Sequence, residues 1–255
     1  MSSTYDRALG ELVSPALVSG VLVVFVTVVG LSWLVHRRHA SRGRRSVAMV
    51  QSYHSNLGFL GLPLVEATLS GAASGTAAVV LGIGILVQTP LTVLSLIAIN
   101  DADADAVTEL RGVATNPVLL ALAVGLGFSA AGLGIPGAVA TGLGALSELA
   151  LPIALLCVGA SLRVVGADLD VGLTGSVVAM KIGLMPVVAW VVFTLLAVDP
   201  TAATAVVVML GMPSAVSTYV YASELGGDSQ LASLNVFATT LASVGTVAVI
   251  LHVMG

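Results

Sequence analysis

The chain has 255 residues, of which 57% are hydrophobic and only 9% are charged, and its mean hydropathy is +1.08. Soluble domains carry about 25% charged residues, so this composition excludes a water-covered globular surface and predicts a protein embedded in the lipid bilayer. The formal net charge is −4 at pH 7, and the single cysteine, Cys157, excludes an internal disulfide and a multi-cysteine metal site.

Eight apolar segments approach or exceed the roughly 20 helical residues that a bilayer core requires. In chain order they are residues 13–35, 46–65, 76–99, 116–133, 143–162, 171–197, 202–223 and 231–253. We therefore expect an all-α, polytopic membrane protein of about eight transmembrane helices. The acidic stretch 100–115 divides these segments into two units, residues 1–99 and residues 116–255.

The arginines predict how the chain lies in the plasma membrane. Five of the eight fall in the loop 36–45, and basic loops remain on the cytoplasmic side. Counting spans from that loop places the acidic linker 100–115 on the same side and both termini outside. The first span is followed, rather than preceded, by the strongest basic cluster, so we expect a retained helix and not a cleaved signal peptide.

Two interrupted spans suggest an internal repeat. Residues 58–63 read GFLGLP, and residues 208–213, 150 positions later, read VMLGMP. Each block lies within a span and precedes a long final helix, and the two spans run in opposite directions, which indicates an inverted repeat. The second unit has two extra helices, so the sequence resembles a five-plus-five repeat that lacks two N-terminal helices, through a misassigned start or a real truncation.

Interrupted helices at matching positions are typical of secondary transporters, whose binding site lies where the interruptions meet. A proline can begin a half-helix without losing a bonded N–H, and the free amides there favour an anion. Asn56 can both donate and accept hydrogen bonds, whereas the serines could alternatively bond their own helices and assist packing. The candidate substrate-binding residues are Asn56, Gly61, Pro63, Pro213, Ser214 and Ser217.

Two further residues are candidates for a coupling or charge role. Lys181 lies well inside the sixth span, where a charge is costly and often functional. It could attract an anion or replace a coupling cation, or its long side chain could reach the cytoplasmic interface instead. His54 precedes the first interruption and could carry a proton, although a hydrogen-bonded structural histidine is the alternative.

Nothing in the sequence indicates catalysis, a cofactor, a metal or nucleic acid as a partner. The run Asp101, Asp103, Asp105 imitates the start of a calcium loop, but Ala106 and Gly112 occupy the positions that need glycine and glutamate. Zinc-protease, P-loop and serine-hydrolase motifs do not occur in the sequence. We therefore do not expect an enzyme.

Five motifs, in order, resemble the auxin efflux carrier family, which includes bacterial malonate and malate permeases and plant auxin exporters. They are NLGFLGLPL at 56–64, NPVLLA at 116–121, LPIALLCVGASL at 151–162, KIGLMP at 181–186 and MPSA at 212–215. The resemblance implies ten helices in two inverted repeats, whose fourth and ninth helices cross at prolines. This chain would hold the equivalents of helices three to ten.

The resemblance also implies function. Family members move small organic anions, such as dicarboxylates, by alternating access, and it points to Asn56, Pro63 and Pro213 as site residues. A proton or sodium ion is the implied coupling partner and a homodimer the implied assembly. Two alternatives remain open at this stage: a degenerate or accessory membrane protein that transports nothing, and a sodium-coupled symporter of the bile-acid type.

Overall fold

The computed structural model describes residues 13–38, 41–69, 71–131, 137–161 and 170–254. Within these ranges the regular elements are all helices, joined by turns and loops, and the described residues contain one isolated antiparallel bridge. The α-helices are α1 (Pro15–His36), α2 (Arg42–Gln51), α3 (Leu62–Thr68), α4 (Gly71–Asn100), α5 (Ala106–Ala114), α6 (Pro117–Ala130), α7 (Gly137–Ser161), α8 (Val171–Val178), α9 (Met185–Leu195), α10 (Pro200–Leu210), α11 (Ser217–Glu224) and α12 (Ser229–Met254). Two π-helical turns are π1 (Leu57–Gly61) and π2 (Ala179–Leu184).

Four helical stretches among the described residues are long and apolar enough to cross a membrane. They are Pro15–His36, Gly71–Asn100, Val171–Leu195 and Ser229–Met254. A fifth would be the pair Ala106–Gly112 and Pro117–Phe128, which is bent by 47°. The prediction of an all-α, multi-pass membrane protein is confirmed, and these four helices coincide with the first, third, sixth and eighth predicted spans.

The second and seventh predicted spans are not single helices. The second consists of α2, π1 and α3, and the seventh consists of α10 and α11. Between the pieces the backbone is not helical, and its polar groups would be unsatisfied in lipid. Both interruptions are accordingly buried in protein, and this burial places the candidate site in the interior of the molecule.

The stretch 100–115, predicted as a linker, contains α5. Asp105 begins this helix, because its carboxylate accepts hydrogen bonds from the Thr108 hydroxyl at 2.6 Å and the Val107 amide at 3.0 Å. The Thr108 hydroxyl and the Val107 amide also hold the pKa of the Asp105 carboxyl below its usual value. The acidic run is therefore partly a helix start, in which a carboxylate satisfies otherwise unbonded amides.

Side-chain caps also define the beginnings of other helices, among them α1, α8, α10 and α12. In each case the oxygen of the capping residue accepts a first-turn amide, and a proline follows directly in α1 and α10. The caps are Ser14 for α1, Asp170 for α8, Asp199 for α10 and Asp228 for α12.

Helix α10 lies at the centre of the core. Its residues 203–210 are all buried, although it is only 11 residues long. It packs against α4 and α9, and α9 in turn packs against α1. Gly20 permits that last approach, because a Cβ atom there would lie 2.7 Å from Cζ of Phe193.

Helices α6 and α7 cover the first interrupted segment. Helix α7 packs against π1 and α3, while α6 packs against α4. The Ser147 hydroxyl donates to the Glu66 carboxylate at 2.7 Å, which joins α7 to α3. Two helices of the second predicted unit thereby enclose part of the first.

One end of the molecule is held together by polar contacts between loops. Arg44 pairs with Asp228 at 3.0 Å, and Arg42 pairs with Asp101. The Asn100 amide donates to the Leu225 carbonyl at 2.8 Å. Three loops that the sequence places on the cytoplasmic side therefore meet at the same end.

Candidate functional site

The first interruption lies earlier in the chain than the sequence suggests. Helix α2 ends at Gln51, residues 52–56 are not helical, and Pro63 lies in the first turn of α3. The prediction that the block GFLGLP at 58–63 interrupts this span is therefore wrong in position, because these residues lie in π1 and α3. A proline ring clashes with the carbonyl four residues before it, and the wider π-helical turn that precedes Pro63 accommodates the ring without a break.

The second interruption contains its proline. Helix α10 ends at Leu210, residues 211–216 are not helical, and α11 begins at Ser217. Pro213 lies in the middle of this stretch. The carbonyls at the end of α10 lack helical partners, so other groups must satisfy them.

The two interruptions pair with each other. Ser55 and Ser214 form an isolated antiparallel bridge. The Asn56 amide donates to the Pro213 carbonyl at 2.8 Å, and the Ala215 amide donates to the His54 carbonyl at 3.0 Å. The two broken segments are thus in direct backbone contact.

Side-chain hydrogen bonds also join the two interruptions. The Ser55 hydroxyl donates to the Leu210 carbonyl at 3.1 Å, and the Ser214 hydroxyl donates to the Gln51 carbonyl at 2.7 Å. Each serine therefore satisfies the last carbonyl of the helix that precedes the other serine. Buried carbonyls of this kind must be bonded, because water does not reach them.

These bonds relate the interruptions by a local two-fold axis. They match Ser55 with Ser214, which are 159 positions apart, and His54 with Pro213. The predicted offset of 150, which matches Pro63 with Pro213, is therefore wrong at the crossing. The LG-x-P pattern misled because its proline lies in the first turn of a helix in one segment and in the break itself in the other.

Gln88 holds the remaining backbone groups of Ser55. Its side-chain oxygen accepts the Ser55 amide and its side-chain nitrogen donates to the Ser55 carbonyl, both at 3.0 Å. On the opposite side, the Thr239 hydroxyl accepts the Ser214 amide at 3.2 Å. Sequence analysis missed Gln88, although a buried amide in an otherwise apolar span is a signal that could have identified it.

Lys181 lies beside the crossing. It is fully buried, and its ammonium donates to the Leu210 carbonyl at 2.7 Å and contacts Met185 Sδ at 3.3 Å. The alternative that its side chain reaches the interface is wrong. Nζ instead lies at the C-terminal end of α10, where it donates to a carbonyl that has no helical partner.

His54 is buried and bonded. Its Nδ1 lies 2.8 Å from the Thr92 hydroxyl, which in turn donates to the Tyr53 hydroxyl at 3.2 Å. The ring also lies near Tyr221, with centroids 6.4 Å apart. This geometry fits a structural histidine, and it also places the ring at the wall of the adjacent cavity.

A cavity of about 370 Å³ adjoins the crossing. Three of the predicted site residues line it, namely His54, Asn56 and Ser217. Five further polar residues that line it were not predicted as site residues, namely Ser55, Gln88, Thr89, Asn116 and Tyr221. Asn116 begins the motif NPVLLA at 116–121, and this motif could have identified it as a candidate.

The other predicted site residues lie outside this cavity lining. Pro213 and Ser214 are buried in the crossing, and Lys181 contacts the end of α10. Pro63 is buried within α3. Gly61 allows π1 to pack closely against α10, because a Cβ atom at this position would lie 2.8 Å from Met209 Sδ.

Two helices begin at the cavity wall. Leu57, the first residue of π1, and Ser217, the first residue of α11, both line it. The Asn56 side chain caps the first of these, accepting the Phe59 amide at 3.3 Å. Helix beginnings carry a partial positive charge, so the cavity favours an anion although no lysine or arginine lines it among the described residues.

Apolar spanning helices with two buried, crossed interruptions define a polytopic membrane protein. Residues 5–251 match the model of the family described as "Membrane transport protein", so the chain belongs to that family, the auxin efflux carrier family. The resemblance seen in the motifs is confirmed, and this is a family of transporters rather than enzymes. No curated protein matches the chain.

Proposed function

We propose that the chain carries a small organic anion, such as a dicarboxylate, across the membrane by alternating access, and that the cavity beside the crossing binds it. The observation that carries this proposal is that both helices following the interruptions begin at the cavity. Their amides and dipoles supply positive potential without a buried cationic side chain that would hold the anion too tightly to release.

Two side chains are available to the anion. The Asn56 Nδ2 and the Ser217 hydroxyl bond no other residue in the described part of the chain. Both are donors, and a hydrogen bond to a charged acceptor contributes about 1.5–3 kcal/mol. The rest of the wall includes apolar side chains such as Leu81 and Ile85, which suit the carbon skeleton of the anion.

The volume also supports a small substrate. Ligand cavities for small molecules span about 300–1,000 Å³, and this cavity of about 370 Å³ lies near the lower limit. Compact carboxylates fit such a space better than large amphipathic anions do. A bile-acid-sized substrate is therefore disfavoured.

The position of Lys181 suggests which ion is coupled to transport. In transporters with broken helices, carbonyls at the ends of half-helices coordinate the coupling cation. Here the Lys181 ammonium already occupies the Leu210 carbonyl at the end of α10. We therefore propose that Lys181 replaces a sodium ion, which favours a proton as the coupling ion and disfavours the sodium-coupled alternative.

The proposal includes the topology. The eight spans belong to a five-plus-five inverted repeat in the plasma membrane, with both termini outside. The contacts Arg42–Asp101 and Arg44–Asp228 support it, because they join three loops that must share one side in this topology. The local two-fold axis at the crossing supports the inverted relation of the two units.

Flux measurements test the proposal. Purified protein in liposomes should accumulate labelled malonate or malate when a proton gradient is applied. Asn56→Ala and Ser217→Ala should each lower this flux about tenfold, as expected for a lost bond to a charged group. Ser223→Ala, on the exposed face of α11, is the matched control and should retain normal flux.

The outcome separates the alternatives. If the folded protein moves none of the tested carboxylates under a gradient, the proposal fails and the accessory or degenerate reading gains. If flux follows a sodium gradient instead, the assignment of Lys181 fails while the anion site stands.

A further inference from the structure

The arginines near the start of α2 fall into two groups. Arg42 and Arg44 are paired with Asp101 and Asp228. Arg37, Arg38 and Arg45 form no ion pair with any described residue. Retaining a loop in the cytoplasm does not require basic residues to converge, so the arrangement of this second group needs its own explanation.

Arg37, Arg38 and Arg45 surround one cavity. It has a volume of about 440 Å³ and lies between the end of α1, the start of α2 and the end of α4. The described residues that line it are Trp33, Arg37, Arg38, Arg45, Met49 and Ile99. Three positive charges and two apolar side chains thus face the same space.

Trp33 indicates the depth of this cavity in the membrane. The Arg37 guanidinium lies 4.9 Å from the centroid of the indole, and the indole remains about half exposed. It belongs to the last turn of the apolar helix α1, next to the exposed Leu34 and Val35. Tryptophan in such a position is typical of the interface between the acyl chains and the headgroups.

We propose that this cavity binds the phosphate headgroup of an anionic phospholipid. Arginine pairs with phosphate through two parallel hydrogen bonds, and its weak hydration lowers the cost of binding at an interface. Basic pockets between membrane helices bind such headgroups. The acyl chains would lie along the exposed side chains of α1, beside Trp33.

This site is separate from the anion cavity at the crossing. It shares no lining residue with that cavity. The lipid would neutralise the charges that form no ion pair within the described part of the chain and would join α1, α2 and α4 at their ends. Its existence does not depend on transport, so a failure of the transport proposal would leave it unaffected.

Lipid retention provides the test. The protein is placed in phosphatidylcholine nanodiscs with and without phosphatidylglycerol, and bound lipid is counted by native mass spectrometry after transfer to detergent. The wild-type chain should retain phosphatidylglycerol in preference to phosphatidylcholine. Arg37→Gln, Arg38→Gln and Arg45→Gln should each weaken this retention about fivefold.

Arg111→Gln is the matched control, because it removes one exposed arginine from α5, away from the cavity. It should leave retention unchanged, and all variants should melt like the wild type in phosphatidylcholine alone. Equal loss in Arg111→Gln would overturn the proposal, since it would show a general charge effect. Displacement of the lipid by inorganic phosphate at comparable affinity would also overturn it, by assigning the site to a free anion.

Discussion

Ser55 and Ser214 exchange equivalent hydrogen bonds across the crossing: each hydroxyl donates to the final carbonyl of the helix that precedes the other residue. The two acceptors differ in one respect. The Leu210 carbonyl also accepts the Lys181 ammonium, whereas Ser214 is the only side chain in the described part of the chain that bonds the Gln51 carbonyl. Removal of the Ser214 hydroxyl would therefore leave its acceptor without a side-chain partner, whereas removal of the Ser55 hydroxyl would not.

Ser214→Ala should destabilise the protein more than Ser55→Ala. Leaving a buried acceptor unbonded costs about 1–3 kcal/mol, and Lys181 still satisfies Leu210 when Ser55 is lost. The free energy of unfolding in detergent would measure the difference. Ser223→Ala serves as control, because this exposed hydroxyl bonds only its own helix. Equal losses for the two crossing serines would contradict the argument.

Lys181→Gln should strongly reduce transport with little loss of stability. Glutamine keeps a donor for the Leu210 carbonyl but removes the positive charge, so the melting temperature should fall only slightly while malonate flux falls at least tenfold, if the charge serves transport. Wild-type flux should be equal in sodium and choline buffers. Arg111→Gln removes the same charge elsewhere and should preserve flux. Sodium-stimulated flux in the wild type would refute the role given to Lys181.

Gly61→Ala should destabilise by about 1–3 kcal/mol through overpacking. The added Cβ atom would lie 2.8 Å from Met209 Sδ, between π1 and α10. Gly245→Ala is the matched change in an open part of α12, with nothing within 4 Å, and should be neutral or stabilising by up to about 1 kcal/mol. Thermal denaturation of the two variants would compare them. A harmless Gly61→Ala would show that this packing is loose.

Asp228→Ala should cost about 1–2 kcal/mol. Its carboxylate caps α12 by accepting the Leu231 amide at 2.9 Å and also pairs with the half-buried Arg44. Asp103→Ala removes an exposed carboxylate from the acidic stretch and should change stability by less than about 0.5 kcal/mol. The free energies of unfolding of the two variants, measured at neutral pH and low salt, would show this difference. High salt should preserve most of the difference, because the hydrogen bond of the cap is a short-range contact that salt screens little. Matching losses would contradict this account.

Hydropathy sufficed to predict the long helices, because length and composition decide what can cross a membrane. Proline and glycine correctly indicated that the second and seventh segments are interrupted. They did not locate the first interruption, because Pro63 is accommodated by a π-helical turn and the chain breaks at Ser52 to Asn56 instead. Local sequence similarity therefore produced the wrong register between the two units.

Side-chain roles were predictable only where the residue type is unusual for its place. Lys181 stood out as a cation within an apolar span. Gln88 was overlooked, because its function depends on the backbone of Ser55, 33 positions earlier. Asn116 lines the cavity because α6 packs against α4. The hydrophobic pattern of its own segment cannot predict a contact between two helices.

The bonds between the interruptions also determine which parts of the molecule can move. Backbone and side-chain bonds join residues 51–56 to residues 210–215, and Gln88 attaches α4 to the same assembly. Neither broken segment can slide without carrying the other and α4 with it. Asn116 and Val118 of α6 form another part of the cavity wall, outside this bonded assembly. In the alternating-access carrier proposed above, the sliding surface would therefore be the seam between α6 and the bonded assembly, and the crossing would move as a single block.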